Sequence, residues 1–195
     1  MVSTEKKKIY LAIETTTDVF SIALGDNEGI ITEKSIPGRR HSEFLMPGIQ
    51  EILEESGLSM DDVKAVGAGV GPGSFTGIRV GLSTAVTIGQ VKKIPVYGIS
   101  SMDLAGKETA HPVILAFRDK YYHAEYDDDG TRKTPFNLIS ADEKDELEGK
   151  PVQISASRFI AETVERHKLG DRGDWREIEP VYVMTTVYKP KKMGV

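Results

Sequence analysis

The chain contains no cysteine. That one absence removes disulfides, thiolate metal sites and cysteine nucleophiles together. Histidine is nearly as scarce: the 4 histidines are His41, His111, His123 and His167, and no two stand at the spacing of a metal-binding pair on one helix. Long apolar runs are also missing. None approaches the roughly 20 residues of a membrane span, and the Lys-rich start lacks the apolar stretch of a signal peptide, so the expected location is the cytoplasm. Nor is there an excess of positive charge. A formal net charge of -5 argues against a general nucleic-acid or membrane-surface binder. Basic clusters stand at the two ends, at Lys6, Lys7 and Lys8 and at Lys189, Lys191 and Lys192, where solvation is the default reading and a nucleic-acid backbone contact the subordinate one.

What is present is a folded chain of 195 residues with 39% apolar content, enough for one domain or two small ones. Residues 9–13, 19–24 and 30–36 read as three strands in a meander, with the polar tip Glu14-Thr15-Thr16-Thr17-Asp18 between the first two. Ser42 is a candidate cap for a helix over residues 42–56, in which Leu45, Ile49, Ile52 and Leu53 share one face, Pro47 and Gly48 bend the start, and Gly57 supplies a left-handed stop. The apolar run 65–70 is a fourth strand and residues 94–99 a fifth, after which Ser101 opens a short helix towards Lys107.

Between those two strands lies the most informative stretch. Gly71, Pro72 and Gly73 make a turn, and Ser74 offers its hydroxyl to the free N–H groups of a helix over residues 75–91. Gly77, Gly81, Ala85 and Gly89 fall four apart and line one side of that helix, with Phe75, Ile78, Leu82 and Val86 beside them. Each interior glycine costs about 1 kcal/mol relative to alanine, so a close-approaching backbone must compensate. That backbone belongs either to the protein's own sheet or to a partner helix. A glycine loop opening a helix also suits an anion, but the loop lacks the Gly-Lys-Ser/Thr ending of a P-loop and the spacing of a dinucleotide fingerprint.

The second half starts a similar order and does not complete it. Residues 113–117, 121–126 and 136–139 read as strands, with Asp129-Gly130 as a hairpin turn. Ser140 and Glu143 form a capping box, residues 152–155 a strand, residues 158–169 a helix stopped by Gly170, and residues 181–184 a late extended segment. The expected organisation is a ribonuclease-H-like domain over residues 1–107 and a shortened α/β domain over 108–195.

Three motifs then carry a resemblance: Ile13-Glu14-Thr15-Thr16-Thr17, His41-Ser42-Glu43, and the run from Gly71 to Gly81. Over residues 9–105 the chain resembles the TsaB (YeaZ) family, which takes part in making N6-threonylcarbamoyladenosine in tRNA. The resemblance implies an actin-like ATPase (ribonuclease-H-like) fold with a complete first domain and a truncated second one. It implies an accessory, non-catalytic subunit that binds and activates a TsaD-like catalytic paralogue, joins a TsaE-like ATPase, pairs with itself in isolation and meets tRNA only indirectly. Ser101 and Ala105 stand where that paralogue carries two metal-binding histidines, and neither can replace an imidazole, so no metal and no cofactor of its own is expected; ATP or ADP would act within the complex. The implied partner face comprises His41, Glu43, Phe44, Leu45, Ile49 and Leu53 from the first helix. From the glycine-striped helix it takes Phe75, Ile78, Arg79, Gly81, Leu82, Ala85 and Gly89. If the stripe faces a partner, Gly81→Leu breaks the complex and leaves the monomer folded.

The rival reading is a stand-alone actin-like ATPase or kinase. Its nucleotide contacts would be Glu14, Thr15, Thr16, Gly71, Gly73 and Ser74, although Thr15 and Thr16 stand where glycine would admit a phosphate. A serine peptidase built on Ser74 or Ser42 lacks the Gly-x-Ser-x-Gly elbow.

Overall fold

The structure is a computed structural model and describes residues 7–37 and 41–183. Its centre is β1 (Ile9–Glu14), every residue of which is buried. A strand covered on both faces needs apolar side chains on both, which is why this segment reads as a continuous apolar run rather than an alternating one. Ile9, Leu11 and Ile13 point into one core, and Tyr10 and Ala12 into another. β2 (Val19–Asp26) and β3 (Gly29–Pro37) pair antiparallel on one side, and β4 (Val63–Gly71) and β5 (Val96–Ser100) add parallel on the other, giving the order β3-β2-β1-β4-β5.

The parallel pairs require helical crossovers. These are α1 (His41–Glu55) and α2 (Phe75–Lys92), which pack side by side, α1 against β2 and β3 and α2 against β4 and β5. Leu45, Ile49, Ile52, Ile78 and Ala85 are all buried on that side. Gly57 ends α1 with φ +64. α1 begins at His41, so Ser42 lies one residue inside the helix rather than at its cap. Ser74 does cap α2, accepting a hydrogen bond from the Gly77 N–H at 3.2 Å. α3 (Ser101–Gly106) is capped by Ser100, whose hydroxyl oxygen accepts from the Asp103 N–H; Ser101 is the first helical residue and turns inward.

A second sheet contains β6 (Pro112–Phe117), β7 (Lys120–His123), β8 (Asn137–Ser140) and β9 (Lys150–Pro151) in the order β8-β7-β6-β9. Both halves of the Ser140–Glu143 capping box form at the start of α4 (Ala141–Glu146). The strand expected over residues 152–155 is instead two residues earlier and two residues long. The physical reason lies just beyond it in the chain. The Ala156 N–H donates to Ser21 Oγ on β2 at 2.7 Å, and Ile154 and Ala156 are buried, so the segment is drawn off the second sheet towards the first.

α5 (Ser157–Lys168) then lies across the open face of the five-stranded sheet, burying Phe159, Ile160, Thr163 and Val164 against β1, β2 and β4. The first sheet is therefore sandwiched between α1 and α2 on one side and a helix contributed by the last third of the chain on the other. After α5 comes a short 3-10 turn (Trp175–Glu177), and the chain runs on past the ends of β4 and β5. Among the described residues no helix is long and apolar enough to cross a membrane.

Candidate functional site

The tip of β1 and the glycine loop meet, so that Glu14, Thr15, Thr16, Gly71, Gly73 and Ser74 are neighbours, as a nucleotide site would require. They are occupied with each other. The Ser74 N–H, the first donor a phosphate would seek, gives its hydrogen bond to the Thr16 carbonyl at 2.7 Å. Thr15 Oγ1 donates to the Gly77 carbonyl at 2.7 Å. A Cβ at Gly73 would collide with the Thr16 carbonyl, one at Gly77 with the Thr15 carbonyl and one at Gly81 with Thr15 Oγ1. The glycines thus admit the chain's own threonine turn to the place where a phosphate would approach.

Glu14 completes the closure. Its side chain is fully buried, accepting from the Thr16 N–H through Oε1 and from the Ser101 hydroxyl through Oε2 at 3.0 Å, while Thr16 Oγ1 lies 3.3 Å from the same hydroxyl. Burial pushes the carboxyl pKa up, against the lowering effect of the bonds from Thr16 and Ser101. Ser101, where the resemblance puts one of the paralogue's metal-binding histidines, is a structural hydroxyl under Glu14, and Ala105 is buried beside it on α3. Among the described residues no three His, Cys, Asp or Glu side chains converge as a metal site would need. Beside this closed turn a cavity of about 470 Å³ lies between the two sheets, lined by Thr16, Asp18, Ser74, Tyr121, Gln153 and Ile154.

The expected partner face divides in two. Leu45, Ile49, Leu53, Ile78, Gly81, Ala85 and Gly89 are buried within this chain, so their assignment to a partner contact is corrected: they hold α1 and α2 to their own sheet. The glycine stripe is the inward side of α2, where Gly77 and Gly81 meet Thr15 and Gly89 meets Val96. Glu43, Phe44, Phe75 and Arg79 face outward and Leu82 is half-buried. His41 opens α1, and its side chain lies outside the described set. Phe75, Arg79, Ser83 and Thr87 form the outward stripe. It runs two residues out of step with the glycines, so at about 100° per residue the two stripes lie on opposite sides of the helix.

That outward side carries apolar surface that the glycine spacing conceals. Phe44 is 41% exposed, Met46 50%, Phe75 52% and Val91 73%. Met46, Met60, Thr84, Thr87, Ile88 and Val91 line a groove of about 510 Å³ between α1 and α2. The four-residue spacing of 75, 79, 83 and 87 is a legible signal, masked by a glycine stripe of the same period. Among the basic clusters, Lys6, Lys189, Lys191 and Lys192 lie outside the described residues, and Lys7 is paired with Asp26 and Glu28 at 3.0 Å each.

A further pairing is hidden by sequence distance. His111 and His123 sit at neighbouring positions beside β6 and on β7, with Nδ1 and Nε2 3.4 Å apart and ring planes 12° from parallel. His123 is buried, and its Nδ1 has no hydrogen-bond partner.

The strand order β3-β2-β1-β4-β5 with its crossover helices is that of the actin-like (ribonuclease-H-like) α/β fold. Comparison with known proteins agrees and goes further. A family model described as TsaD, tRNA N6-adenosine threonylcarbamoyltransferase, matches residues 26–132, more than half of the chain. The chain belongs to this TsaD/TsaB (YeaZ) family. It is similar to the tRNA threonylcarbamoyladenosine biosynthesis protein TsaB of Haemophilus influenzae, 39% identical over 171 residues, covering 86% of this chain and 60% of that protein. It is also similar to the protein of that name from Escherichia coli, 36% identical over 92 residues, covering 47% of this chain and 40% of that one. YeaZ from Pseudomonas aeruginosa has the same fold, with a TM-score of 0.72 at 19% identity, covering 90% of this chain and 100% of that structure. The chain spans 40% and 60% of the length of the two curated relatives.

Proposed function

We propose that this chain acts in the synthesis of N6-threonylcarbamoyladenosine in tRNA as an accessory, non-catalytic subunit, docking on a TsaD-like catalytic subunit through the outward side of α1 and α2. The names of the Haemophilus influenzae and Escherichia coli relatives support the pathway. The observation that carries the docking reading is the exposure of Phe44, Met46, Phe75 and Val91 on two adjacent helices that already bury their other sides in the core. Aromatic, methionine and arginine side chains are the types enriched at protein interfaces, and Ser83, Thr84 and Thr87 between them are small enough to let a second helix approach.

The same surface would serve a second copy of this chain in isolation, and the assembled complex would recruit a TsaE-like ATPase. ATP or ADP is assigned to that complex rather than to this chain, because the Ser74 N–H already donates to Thr16 and the glycine loop is filled by the threonine turn. Contact with tRNA is indirect in this reading.

Size-exclusion chromatography with light scattering tests it. The protein is run alone and mixed with the TsaD-like protein of the same organism. A one-to-one complex, or a homodimer that exchanges into one, is expected. A monomer indifferent to that partner, together with micromolar ATP binding by the isolated chain in calorimetry, would replace this reading with the stand-alone nucleotide enzyme.

A further inference from the structure

The chain's last described segment returns to the same face. After the 3-10 turn, Ile178 packs beside Gly98, where an added Cβ would lie 2.9 Å from Ile178 Cγ2. The Val181 N–H then donates to the Val70 carbonyl at the end of β4 at 2.8 Å. This places Tyr182 over the first turn of α2. Its ring centroid is 4.9 Å from that of Phe75, and Arg79 Nε donates to its hydroxyl at 3.4 Å, while the Arg79 guanidinium lies 4.1 Å above the Phe75 ring. A tyrosine, an arginine and a phenylalanine from two distant segments form one cluster on the outward side of α2.

We infer that this C-terminal arm is a displaceable cover on the partner face, closed by Tyr182. The inference rests on the partner reading of α1 and α2. Phe75 and Arg79 are half of the outward stripe, so a helix laid along that stripe and the Tyr182 ring compete for the same surface. Beyond Ile178, the described residues hold the arm by few contacts: the Tyr182 hydroxyl contact is at the long limit of a hydrogen bond, Tyr182 is 37% exposed, and the Val181 N–H gives one backbone bond. Phe75 beneath it is an aromatic side chain, a type whose large buried area dominates interface energetics. A partner that binds only the uncovered face has its apparent affinity reduced by the fraction of molecules that are uncovered. Removing the cover therefore tightens binding without adding a contact.

The experiment uses the full chain and the TsaD-like protein of the same organism, with dissociation constants from calorimetry. Tyr182→Ala is expected to bind about threefold to tenfold tighter than the unmodified chain, the range that an aromatic pair and a weak hydrogen bond supply. Amide hydrogen exchange gives the independent readout: the Val181 N–H is protected in the free chain and loses that protection in the complex. Unchanged or weaker binding by Tyr182→Ala, or a Val181 amide that stays protected, overturns the cover. Met46→Lys separates the two ideas, because Met46 lines the groove on the same face with Val91, and the arm's cluster does not include it. Loss of binding in that variant upholds the partner face whatever Tyr182 does. Binding equal to the unmodified chain removes the partner face and the cover with it.

Discussion

Two residues show how environment decides what a side chain is for. Glu14 looks in sequence like an acidic phosphate-site residue; enclosed by Thr16 and Ser101 it is a buried acceptor that ties the tip of β1 to the start of α3. His123 shows the same effect with a measurable consequence. Burial is the largest influence on its imidazole and lowers its pKa from 6.5, with Asn137 pulling the other way and His111 adding to the lowering. The unfolded chain then binds a proton before the folded one does, so the stabilising contribution is complete above pH 6.5 and is lost as pH falls through the folded pKa. His167, also lowered mainly by burial, acts in the same direction. These two histidines should therefore pull the urea midpoint down as pH falls from about 7 to about 5, while the raised Glu14 carboxyl acts in the opposite direction. In His123→Phe that slope should become shallower, with His167 still acting in the same direction; an unaltered slope would show that His123 does not titrate in this window.

At the scale of the element, α2 has two faces with one period. The glycine face is inward, and what its glycines make room for is the chain's own Thr15 turn, backbone at Gly77 and side chain at Gly81, and the Val96 side chain at the start of β5. Gly81→Leu is thus expected to unfold the monomer rather than merely release a partner. A Cβ there meets Thr15 Oγ1, whose hydroxyl is bonded to the Gly77 carbonyl, so neither can yield without opening the turn. Overpacking of a fixed site typically costs about 1–3 kcal/mol and sometimes more. Thermal unfolding followed by circular dichroism should show a fall of several degrees in the midpoint, or no transition at all. A variant as stable as the parent would return the stripe to the partner interface.

The whole molecule depends on a long-range closure. β1 is buried on both faces, and one face is covered by α5, which comes from the far end of the second half. A chain ending at residue 155 should therefore not behave as a shorter folded protein. Without Phe159, Ile160 and Val164, the residues Tyr10, Ala12, Ala23 and Ala65 lose their cover. Burying a large apolar side chain is worth roughly 1.5–3 kcal/mol, so the three together are of the same order as the entire net stability of a small domain. The expected outcome is a non-cooperative melt and dye binding to exposed apolar surface. A cooperative transition at the parental temperature would make the first sheet independent of α5.

The sequence is legible wherever a short stretch contains the whole cause. The strands around β1, the Ser74 cap, the Gly57 and Gly170 stops and the Ser140–Glu143 box each depend on residues a few positions apart. The family is legible for a similar reason, because the Gly71–Gly81 run is a contiguous motif. Sequence order leaves open which side of each element faces which neighbour. The glycine stripe turns inward because Thr15, 62 residues from Gly77, already stands in its path. β9 stops short because Ser21, 135 residues from Ala156, accepts from that residue's N–H and draws the segment away. His111 meets His123, and Tyr182 meets Arg79, through strand pairing and chain return that no periodicity encodes. Spacing along a helix or strand establishes that a face exists, but only the packed fold supplies the atoms that cover it, since burial depends on contacts distant in sequence.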